Sequence, residues 1–184
     1  MKPETPAAAG ATTRRVDPHA MLLLTFRIGN DLYALEARRA VEVVPLVALQ
    51  RIPEAPRGVA GLFNYRGEPV VAVDLCELIL GRPARPALST RILVVNTAPA
   101  ASGARQLLGL IAERATEILR CEPQALAEPA RPQGAPYLGP ILMDARGMIQ
   151  LLQPEHLPLA TPAGALTPRT EARPQPDSAA PPAP

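Results

Sequence analysis

Aromatic residues are scarce in this sequence, which has no tryptophan, two phenylalanines and three tyrosines among 184 residues. Hydrophobic residues still make up 47% of the chain, so its interior must be built from valine, leucine, isoleucine and alanine. Proteins that bind single-stranded nucleic acids need aromatic side chains for stacking and a concentrated positive charge. Here the net charge is only +2 and the arginines are scattered among 17 acidic residues, which argues against nucleic-acid binding.

Histidine and cysteine are also scarce, which limits the chemistry available to the chain. His19 and His156 lie towards the two ends, so no serine or cysteine in the interior has a plausible histidine partner. Cys76 and Cys121 are too few and too far apart for a metal cluster, and we expect both to be buried thiols. No phosphate-binding loop or Rossmann glycine pattern occurs. The sequence therefore predicts a binding protein, not an enzyme, with neither cofactor nor metal.

Long hydrophobic runs are missing as well. No stretch approaches the ~20 consecutive apolar residues of a membrane-spanning helix. Arg14 and Arg15 precede an apolar run, as in twin-arginine export signals, but Asp17 and Pro18 intervene and Arg27 ends the run. We therefore expect a cytoplasmic protein that does not insert into a membrane.

Composition separates the ends of the chain from its middle. Residues 1–20 are rich in alanine, threonine and proline, and residues 160–184 are rich in proline and alanine. Neither end has the periodicity of a buried element, so we expect a flexible N-terminal arm and a disordered tail. Whether the tail docks on a proline-reading domain stays open. Residues 21–159 are left as the folded domain, its second half starting near residue 88.

The folded part is organised around a predicted hairpin. Two apolar runs flank Arg66 and Gly67, and glycine supplies the positive φ that a tight reversal needs. Asp74 follows the second run and can cap a short helix over residues 75–80, which Gly81 can end.

Other segments also predict short strands. Residues 22–28 and 32–35 predict a hairpin, and residues 36–41 predict a single helical turn. Residues 92–95 are continuously apolar, as in a strand buried on both faces where two barrels pack together. We therefore expect an all-β fold whose core is the interface between two barrels.

The second half of the chain repeats the first. Residues 32–44 align without a gap with residues 107–119, with six of the thirteen positions identical, and Glu42 aligns with Glu117. A second Arg-Gly pair at Arg146 follows in the same order. A duplicated unit of about five short strands is expected to curl into a small barrel of its own.

The hairpin carries a resemblance to a known family. The pattern Val-x-Gly-Leu-x-Asn-x-Arg-Gly, followed by a valine strand ending in Asp-Leu, resembles the signature of the CheW family. Phe26, Gly29 and Tyr33 add the upstream Phe-x-x-Gly-x-x-x-Tyr run, and the resemblance covers about residues 20–159. It implies two intertwined five-stranded SH3-like β-barrels with short helices and no enzymatic activity.

The resemblance also implies partners and a place for them. Family members are adaptors that couple chemoreceptors, the methyl-accepting chemotaxis proteins, to a CheA-type histidine kinase. One barrel docks on the regulatory domain of the kinase, and the groove between the barrels receives the cytoplasmic tip of the receptor. Such an adaptor is cytoplasmic and is recruited to membrane-associated receptor arrays. The positions that match the family's partner-binding region are Glu42, Gly61, Asn64, Arg66, Gly67, Thr90, Arg91 and Gly109.

Two departures from the family pattern concern the choice of partner more than the fold. Tyr65 replaces the aliphatic residue usual before the Arg-Gly pair, and Val71 stands where a proline is usual, the proline lying at Pro69. Residues 137–140, Tyr-Leu-Gly-Pro, are similar to the adaptor of a Wsp-type surface-sensing system, in which a receptor array controls a diguanylate cyclase. Two alternatives remain: a small-barrel nucleic-acid-binding protein, and an Arg66 that is merely a solvated turn residue.

Overall fold

A computed structural model of the chain describes residues 20–99, 105–128 and 134–158. Within these ranges it contains ten β-strands, one α-helix and three short 3-10 helices. The predicted tail, residues 160–184, and the predicted arm apart from Ala20 lie outside the described residues.

The strands of the described ranges follow one another with short connections. They are β1 (Met21–Ile28), β2 (Asp31–Glu36), β3 (Ala40–Pro45), β4 (Val59–Tyr65), β5 (Glu68–Asp74), β6 (Arg91–Asn96), β7 (Leu107–Cys121), β8 (Leu126–Ala127), β9 (Leu138–Asp144) and β10 (Gly147–Leu152). Helix α1 spans Leu75–Leu80, and the 3-10 helices span Ala37–Arg39, Pro123–Ala125 and Pro154–His156. The predicted all-β class is confirmed.

The strands form two five-stranded barrel-like sheets that share one long strand. The first follows the order β3-β6-β7-β5-β4, and the second follows the order β7-β1-β2-β10-β9, with the short β8 beside β9. Residues 107–112 of β7 pair with β6, whereas residues 113–121 pair with β1. Strand β7 therefore joins the two barrels covalently.

The two halves of the chain exchange strands. The first barrel takes β6 and β7 from the second half, and the second barrel takes β1 and β2 from the first half. A parallel pairing completes each barrel, β5 with β7 in the first and β2 with β10 in the second. We expected each repeat to curl into its own barrel, and that expectation is wrong. The intertwined arrangement implied by the family resemblance is what the topology has.

The local predictions around α1 are confirmed. Asp74 caps the helix, because its Oδ1 accepts hydrogen bonds from the backbone N–H groups of Cys76, at 2.9 Å, and Glu77, at 3.1 Å. Its Oδ2 also accepts from the N–H of Ala84 at 2.8 Å, which ties the connector after the helix to the end of β5. Gly81 ends the helix with a φ of 73°, the left-handed conformation that favours glycine.

The aligned repeats differ in secondary structure, but both have an irregular backbone at the same aligned position. Residues 32–44 make β2, a 3-10 helix and β3, whereas residues 107–119 lie within the single strand β7. Arg39, at the end of the 3-10 helix, aligns with Arg114, which has a φ of 50°. Just before that residue, between Ala112 and Glu113, β7 passes from its pairing with β6 to its pairing with β1. In both copies of the repeat, therefore, the chain crosses from one barrel to the other next to the aligned arginine.

The core lies where the barrels meet, as predicted. Leu93 of β6 packs in one buried cluster with Phe26 and Leu35 of the second barrel, while Ile92 faces a cluster inside the first barrel with Phe63. Strand β6 is thus buried on both faces. The two cysteines are buried free thiols, as expected from the sequence.

Candidate partner-binding site

The hairpin between β4 and β5 turns on two residues. Tyr65 pairs with Glu68 across the turn, so the loop consists of Arg66 and Gly67 alone. Their φ angles, 54° and 91°, are both positive, as in the type I′ turn that suits the twist of a hairpin. The side-chain oxygen of Asn64 accepts a hydrogen bond from the N–H of Gly67 at 2.7 Å. These contacts hold Arg66 at the tip, where 71% of its side chain is exposed.

Three side chains meet beside this turn and are called here the Glu42 cluster: Glu42, Tyr65 and Arg66. Oε2 of Glu42 accepts a hydrogen bond from the Tyr65 hydroxyl at 2.6 Å and another from Nη2 of Arg66 at 2.8 Å. The Arg66 guanidinium also lies 5.4 Å from the centre of the Tyr65 ring, within range of a cation–π contact. The cluster therefore joins one anion, one cation and one phenol.

The electrostatics of the cluster follow from these bonds. The hydrogen bond from Tyr65, with the nearby positive charge of Arg66, lowers the pKa of Glu42 despite some opposing desolvation. The same hydrogen bond, helped by burial, raises the pKa of the Tyr65 hydroxyl. At neutral pH Glu42 is thus an anion and Tyr65 a neutral donor.

The Glu42 cluster spans the seam of the first barrel, which is the unpaired gap between its edge strands β3 and β4. Among the described strands β3 pairs only with β6, and β4 pairs only with β5, so no ladder joins β3 to β4. Glu42 lies on β3, Tyr65 ends β4, and their side chains meet across this opening. Side chains therefore link β3 directly to β4, while the backbone of β4 bonds instead to Gln50, in the segment after β3, through Leu62.

The second barrel has a related contact at its own hairpin, between β9 and β10. Nη1 of Arg146 lies 2.6 Å from Oε2 of Glu117 on β7, and its Nε lies 2.6 Å from Oδ2 of Asp144. Asp144 pairs with Gly147, so the loop is Ala145 and Arg146, and the arginine is the second loop residue instead of the first. The hydrogen bond from Arg146 holds the pKa of Asp144 below its ordinary value.

Gly61 and Gly109 belong to the same barrel as the Glu42 cluster. Across the sheet Gly61 pairs with Ala72, Ala72 with Gly109, Gly109 with Val94, and Val94 with Glu42. One row of residues thus runs from Gly61 to Glu42 through the barrel wall.

These two glycines allow close packing behind the cluster. A Cβ atom at Gly109 would lie 2.6 Å from the Phe63 ring and 2.9 Å from a methyl group of Ile92. A Cβ atom at Gly61, which has a φ of 146°, would lie 2.4 Å from the backbone oxygen of Gln50. Both positions support the barrel wall, and neither offers a side chain to a partner.

Thr90 and Arg91 lie away from the Glu42 cluster, at the start of β6. Thr90 is 1% exposed and its hydroxyl donates to the backbone oxygen of Arg85 at 2.7 Å. The Arg91 guanidinium donates to backbone oxygens, including that of Thr90 at 3.1 Å. Arg91 pairs with Pro45, three residues along β3 from Glu42. Of the eight predicted positions, four therefore meet at the hairpin tip, two line the wall behind it, and two lie further along the strand.

A pocket of about 600 Å³ lies between the barrels, near Thr90. Its lining includes Asn30 of the β1–β2 turn, Arg82 after α1, Thr90, and Arg114 at the irregular point of β7. None of the Glu42 cluster lines it.

Comparison with known proteins then decides the family. A sequence model described as the CheW-like domain matches residues 22–159. The chain belongs to this family. The prediction made from the hairpin signature is confirmed.

Individual CheW relatives are distant. The chemotaxis protein CheW of Helicobacter pylori is 32% identical over 114 residues, covering 61% of this chain and 65% of that protein. The chemotaxis protein CheW of Treponema pallidum is 33% identical over 60 residues, covering 33% of this chain and 35% of that protein. The matched regions therefore span less than two thirds of both relatives.

A solved structure supports the CheW fold. The scaffolding protein TtCheW of Thermoanaerobacter tengcongensis superimposes with a TM-score of 0.65 at 22% identity, covering 76% of this chain and 88% of that one. At that identity the similarity shows the fold of two barrels.

Sequence reasoning missed two features of this CheW-like domain. Tyr65 was recognised only as a departure from the family pattern, and its bond to Glu42 was not foreseen. The Arg146 contact with Glu117 was not foreseen either, although the alignment of Glu42 with Glu117 and the second Arg-Gly pair were the signals for it. Both contacts join residues that only barrel closure brings together.

Apolar side chains are exposed next to each hairpin contact of the CheW-like domain. On β3 Val41 and Val43 are 46% and 40% exposed. Near Arg146 the exposed fractions are 59% for Ile118, 69% for Met143 and 60% for Met148. In each barrel the strands that carry the ion pair therefore also carry exposed apolar side chains.

Residues 20–99, 105–128 and 134–158 contain neither a candidate metal site nor a membrane-spanning helix. In those ranges no three histidine, cysteine or acidic side chains are grouped so that they could hold a metal ion. The helices of the same ranges are all too short or too polar to cross a membrane.

Proposed function

We propose that this CheW-like chain is a non-enzymatic adaptor that couples chemoreceptors, the methyl-accepting chemotaxis proteins, to the regulatory domain of a CheA-type histidine kinase. The observation that carries the proposal is the Glu42 cluster, which lies on a two-residue turn within the positions that the family resemblance assigns to partner binding. The matched relatives named above are chemotaxis and scaffolding proteins, which supports the same role.

The chemistry of the first barrel suits a protein partner. Arg66 is highly exposed and has N–H donors beyond the one used by Glu42, which fit carboxylates or main-chain carbonyls. Val41 and Val43, on the same strand as Glu42, are exposed apolar side chains. Arginine and apolar anchors of this kind carry much of the energy of protein interfaces. We assign the receptor tip to the groove between the barrels, on the side of the first barrel that carries Glu42.

The second barrel offers a related but different surface for the other partner. Its ion pair, Glu117 with Arg146, is accompanied by two exposed methionines and an isoleucine. Methionine is common at interfaces because its flexible side chain adapts to the partner. Two different surfaces on barrels that share a strand and a core let an adaptor contact a receptor and a kinase at once. Such a protein acts in the cytoplasm, recruited to membrane-associated receptor arrays.

The finer assignment concerns the pathway. Residues 137–140 are similar to the adaptor of a Wsp-type system, so we propose surface sensing with control of a diguanylate cyclase as the output. A pull-down from the native lysate, followed by identification of the captured kinase and receptor, tests this. A kinase encoded with flagellar motility components would contradict the Wsp-type assignment and leave the adaptor role intact.

The adaptor role itself is tested with purified components. Pairwise affinities of the chain for a receptor signalling fragment and for the kinase regulatory domain are measured, and array assembly is followed with all three proteins. We expect binding to both partners and assembly that depends on the chain. Binding to neither partner, with retention of a single-stranded oligonucleotide at physiological salt, would favour the nucleic-acid alternative and overturn the proposal.

A further inference from the structure

The two repeat-related glutamates are held in different ways. Glu42 accepts hydrogen bonds from both Tyr65 and Arg66, and its side chain is 39% exposed. Glu117 is held by Arg146 alone among the described residues, and its side chain is 65% exposed. One carboxylate is therefore held by two donors, and the other by one.

The difference has its origin in a single hairpin position. Tyr65 and Asp144 are each the last strand residue before a two-residue loop. In the first barrel this position supplies a hydroxyl that donates to the glutamate. In the second it supplies a carboxylate that accepts from Nε of Arg146, while Nη1 of the same guanidinium donates to Glu117. The last strand residue before the loop is thus a hydrogen-bond donor in one hairpin and a carboxylate in the other.

The Tyr65 ring is itself fixed in place. Only 5% of the residue is exposed, and it packs in the core cluster of the first barrel with Phe63 and Val70. A ring anchored in this way has little rotational freedom, so its hydroxyl occupies a defined point at the seam between β3 and β4. Both hydrogen bonds go to Oε2 of Glu42, which leaves Oε1 without a hydrogen bond from any described residue.

We propose that Tyr65 is a positioning residue for partner recognition. By holding Oε2 of Glu42, it presents Oε1 and the remaining N–H groups of Arg66 as one unit, with an acceptor beside donors. The partner that fits is a protein segment that offers a donor, such as an amide or a basic side chain, next to an acceptor, such as a carboxylate or a main-chain carbonyl. This inference rests on the proposed adaptor function and deepens it, because it explains why only the first barrel would use its glutamate selectively.

The test removes one oxygen atom. Tyr65→Phe keeps the buried ring and the cation–π contact with Arg66 but deletes the bond to Glu42. We expect the affinity for the receptor fragment to fall about three- to tenfold, the loss that corresponds to the net contribution of one typical hydrogen bond. The affinity for the kinase regulatory domain is expected to stay within twofold of wild type, roughly the error of such a measurement.

A double-mutant cycle distinguishes positioning from a general structural effect. If Tyr65 acts through Glu42, then Tyr65→Phe has no further effect on receptor binding in a Glu42→Ala background. A structural effect of the hydroxyl would instead weaken binding by the same factor in both backgrounds. Tyr33→Phe is the matched control, since Tyr33 is another buried tyrosine, stacked on Phe26 in a different core cluster, and should leave both affinities unchanged.

A second readout needs no partner. An NMR titration of the Glu42 carboxyl group should show its pKa rising towards the ordinary glutamate value in Tyr65→Phe and not in Tyr33→Phe. Wild-type receptor affinity in Tyr65→Phe, additive losses in the cycle, or an unmoved Glu42 pKa would each overturn the inference. If the wild-type chain binds neither partner while the Glu42 pKa does move, the positioning contact stands but its role in recognition fails together with the proposed function.

Discussion

Glu42 and Glu117 occupy equivalent positions of two repeats, yet their neighbours differ in charge. Glu42 meets a phenol and an arginine, whereas the arginine beside Glu117 is shared with Asp144. Charge reversal should therefore have unequal consequences at the two sites, although both side chains are too exposed for their ion pairs to contribute much stability.

The first prediction compares the two glutamates directly. Glu42→Lys places an ammonium group against Arg66 and should weaken receptor binding at least tenfold, about 1.4 kcal/mol, while sparing the kinase. Glu117→Lys should affect neither affinity strongly. Both variants are measured in pairwise binding and in array assembly. Equal impairment of both partners by Glu42→Lys, or a larger effect of Glu117→Lys, would show that the receptor does not use the first barrel.

The second prediction concerns Arg66 at the turn. Arg66→Glu should weaken receptor or kinase binding at least tenfold, about 1.4 kcal/mol, because it replaces the exposed donors with a repelling carboxylate. The melting temperature should change little, since an exposed ion pair contributes at most about 1 kcal/mol. Arg51→Glu, at another exposed arginine in the loop before β4, is the control for charge alone. Wild-type affinity for both partners in Arg66→Glu would show that Arg66 is only a solvated turn residue.

At the scale of the elements, the barrel wall depends on glycines that let strands pack closely. Gly109 on β7 faces the Phe63 ring, and there is no room there for a Cβ atom. Gly67, by contrast, has open space around it and needs glycine only for its φ of 91°. Glycine is therefore required at position 109 for lack of space and at position 67 for its backbone conformation.

The third prediction uses this contrast. Gly109→Ala should lower the free energy of unfolding by about 1–3 kcal/mol, because the new methyl group overpacks the core of the first barrel. Gly67→Ala should cost roughly 1 kcal/mol, the penalty of a left-handed conformation for a residue with a Cβ. Denaturant unfolding of both variants provides the measurement. A Gly109→Ala variant as stable as the wild type would show that β7 can shift away from Phe63 at no cost.

At the scale of the whole molecule, the exchange of strands makes the two barrels one folding unit. Strand β7 belongs to both barrels, and β1 and β2 complete a barrel whose other strands come from the second half. Each half alone would expose the apolar faces that β6 and β1 bury in the complete chain. Neither half retains a closed sheet.

The fourth prediction follows from that exchange. Cutting the chain between Arg82 and Ala87 should give two fragments, neither of which unfolds cooperatively on heating, because each lacks strands of both barrels. Removal of residues 1–18 or 163–184 is the control and should leave the melting temperature nearly unchanged. Circular dichroism melts of each fragment decide the matter. A cooperative transition in either isolated half would contradict the exchange of strands.

The sequence by itself determined the local elements and the family. Three local features depend only on hydrogen bonds and φ angles within a few residues: the helix cap of Asp74, the left-handed Gly81 and the Arg66-Gly67 turn. The local amino-acid sequence therefore suffices to predict them. The apolar run of β6 likewise predicted burial on both faces, because such a strand leaves no polar face for solvent. The hairpin signature then pointed to the CheW family.

Only the tertiary structure decided which strands share a barrel and which side chains meet at the seams. The repeat predicted two barrels but not the exchange, since hydrophobic periodicity says which face is buried and not which strand lies next to it. The bond between Tyr65 and Glu42 joins residues 23 positions apart, and the pair of Arg146 with Glu117 joins residues 29 apart. Such contacts exist because each barrel brings its edge strands close together across an unpaired gap, and that curvature depends on the packing of the complete chain.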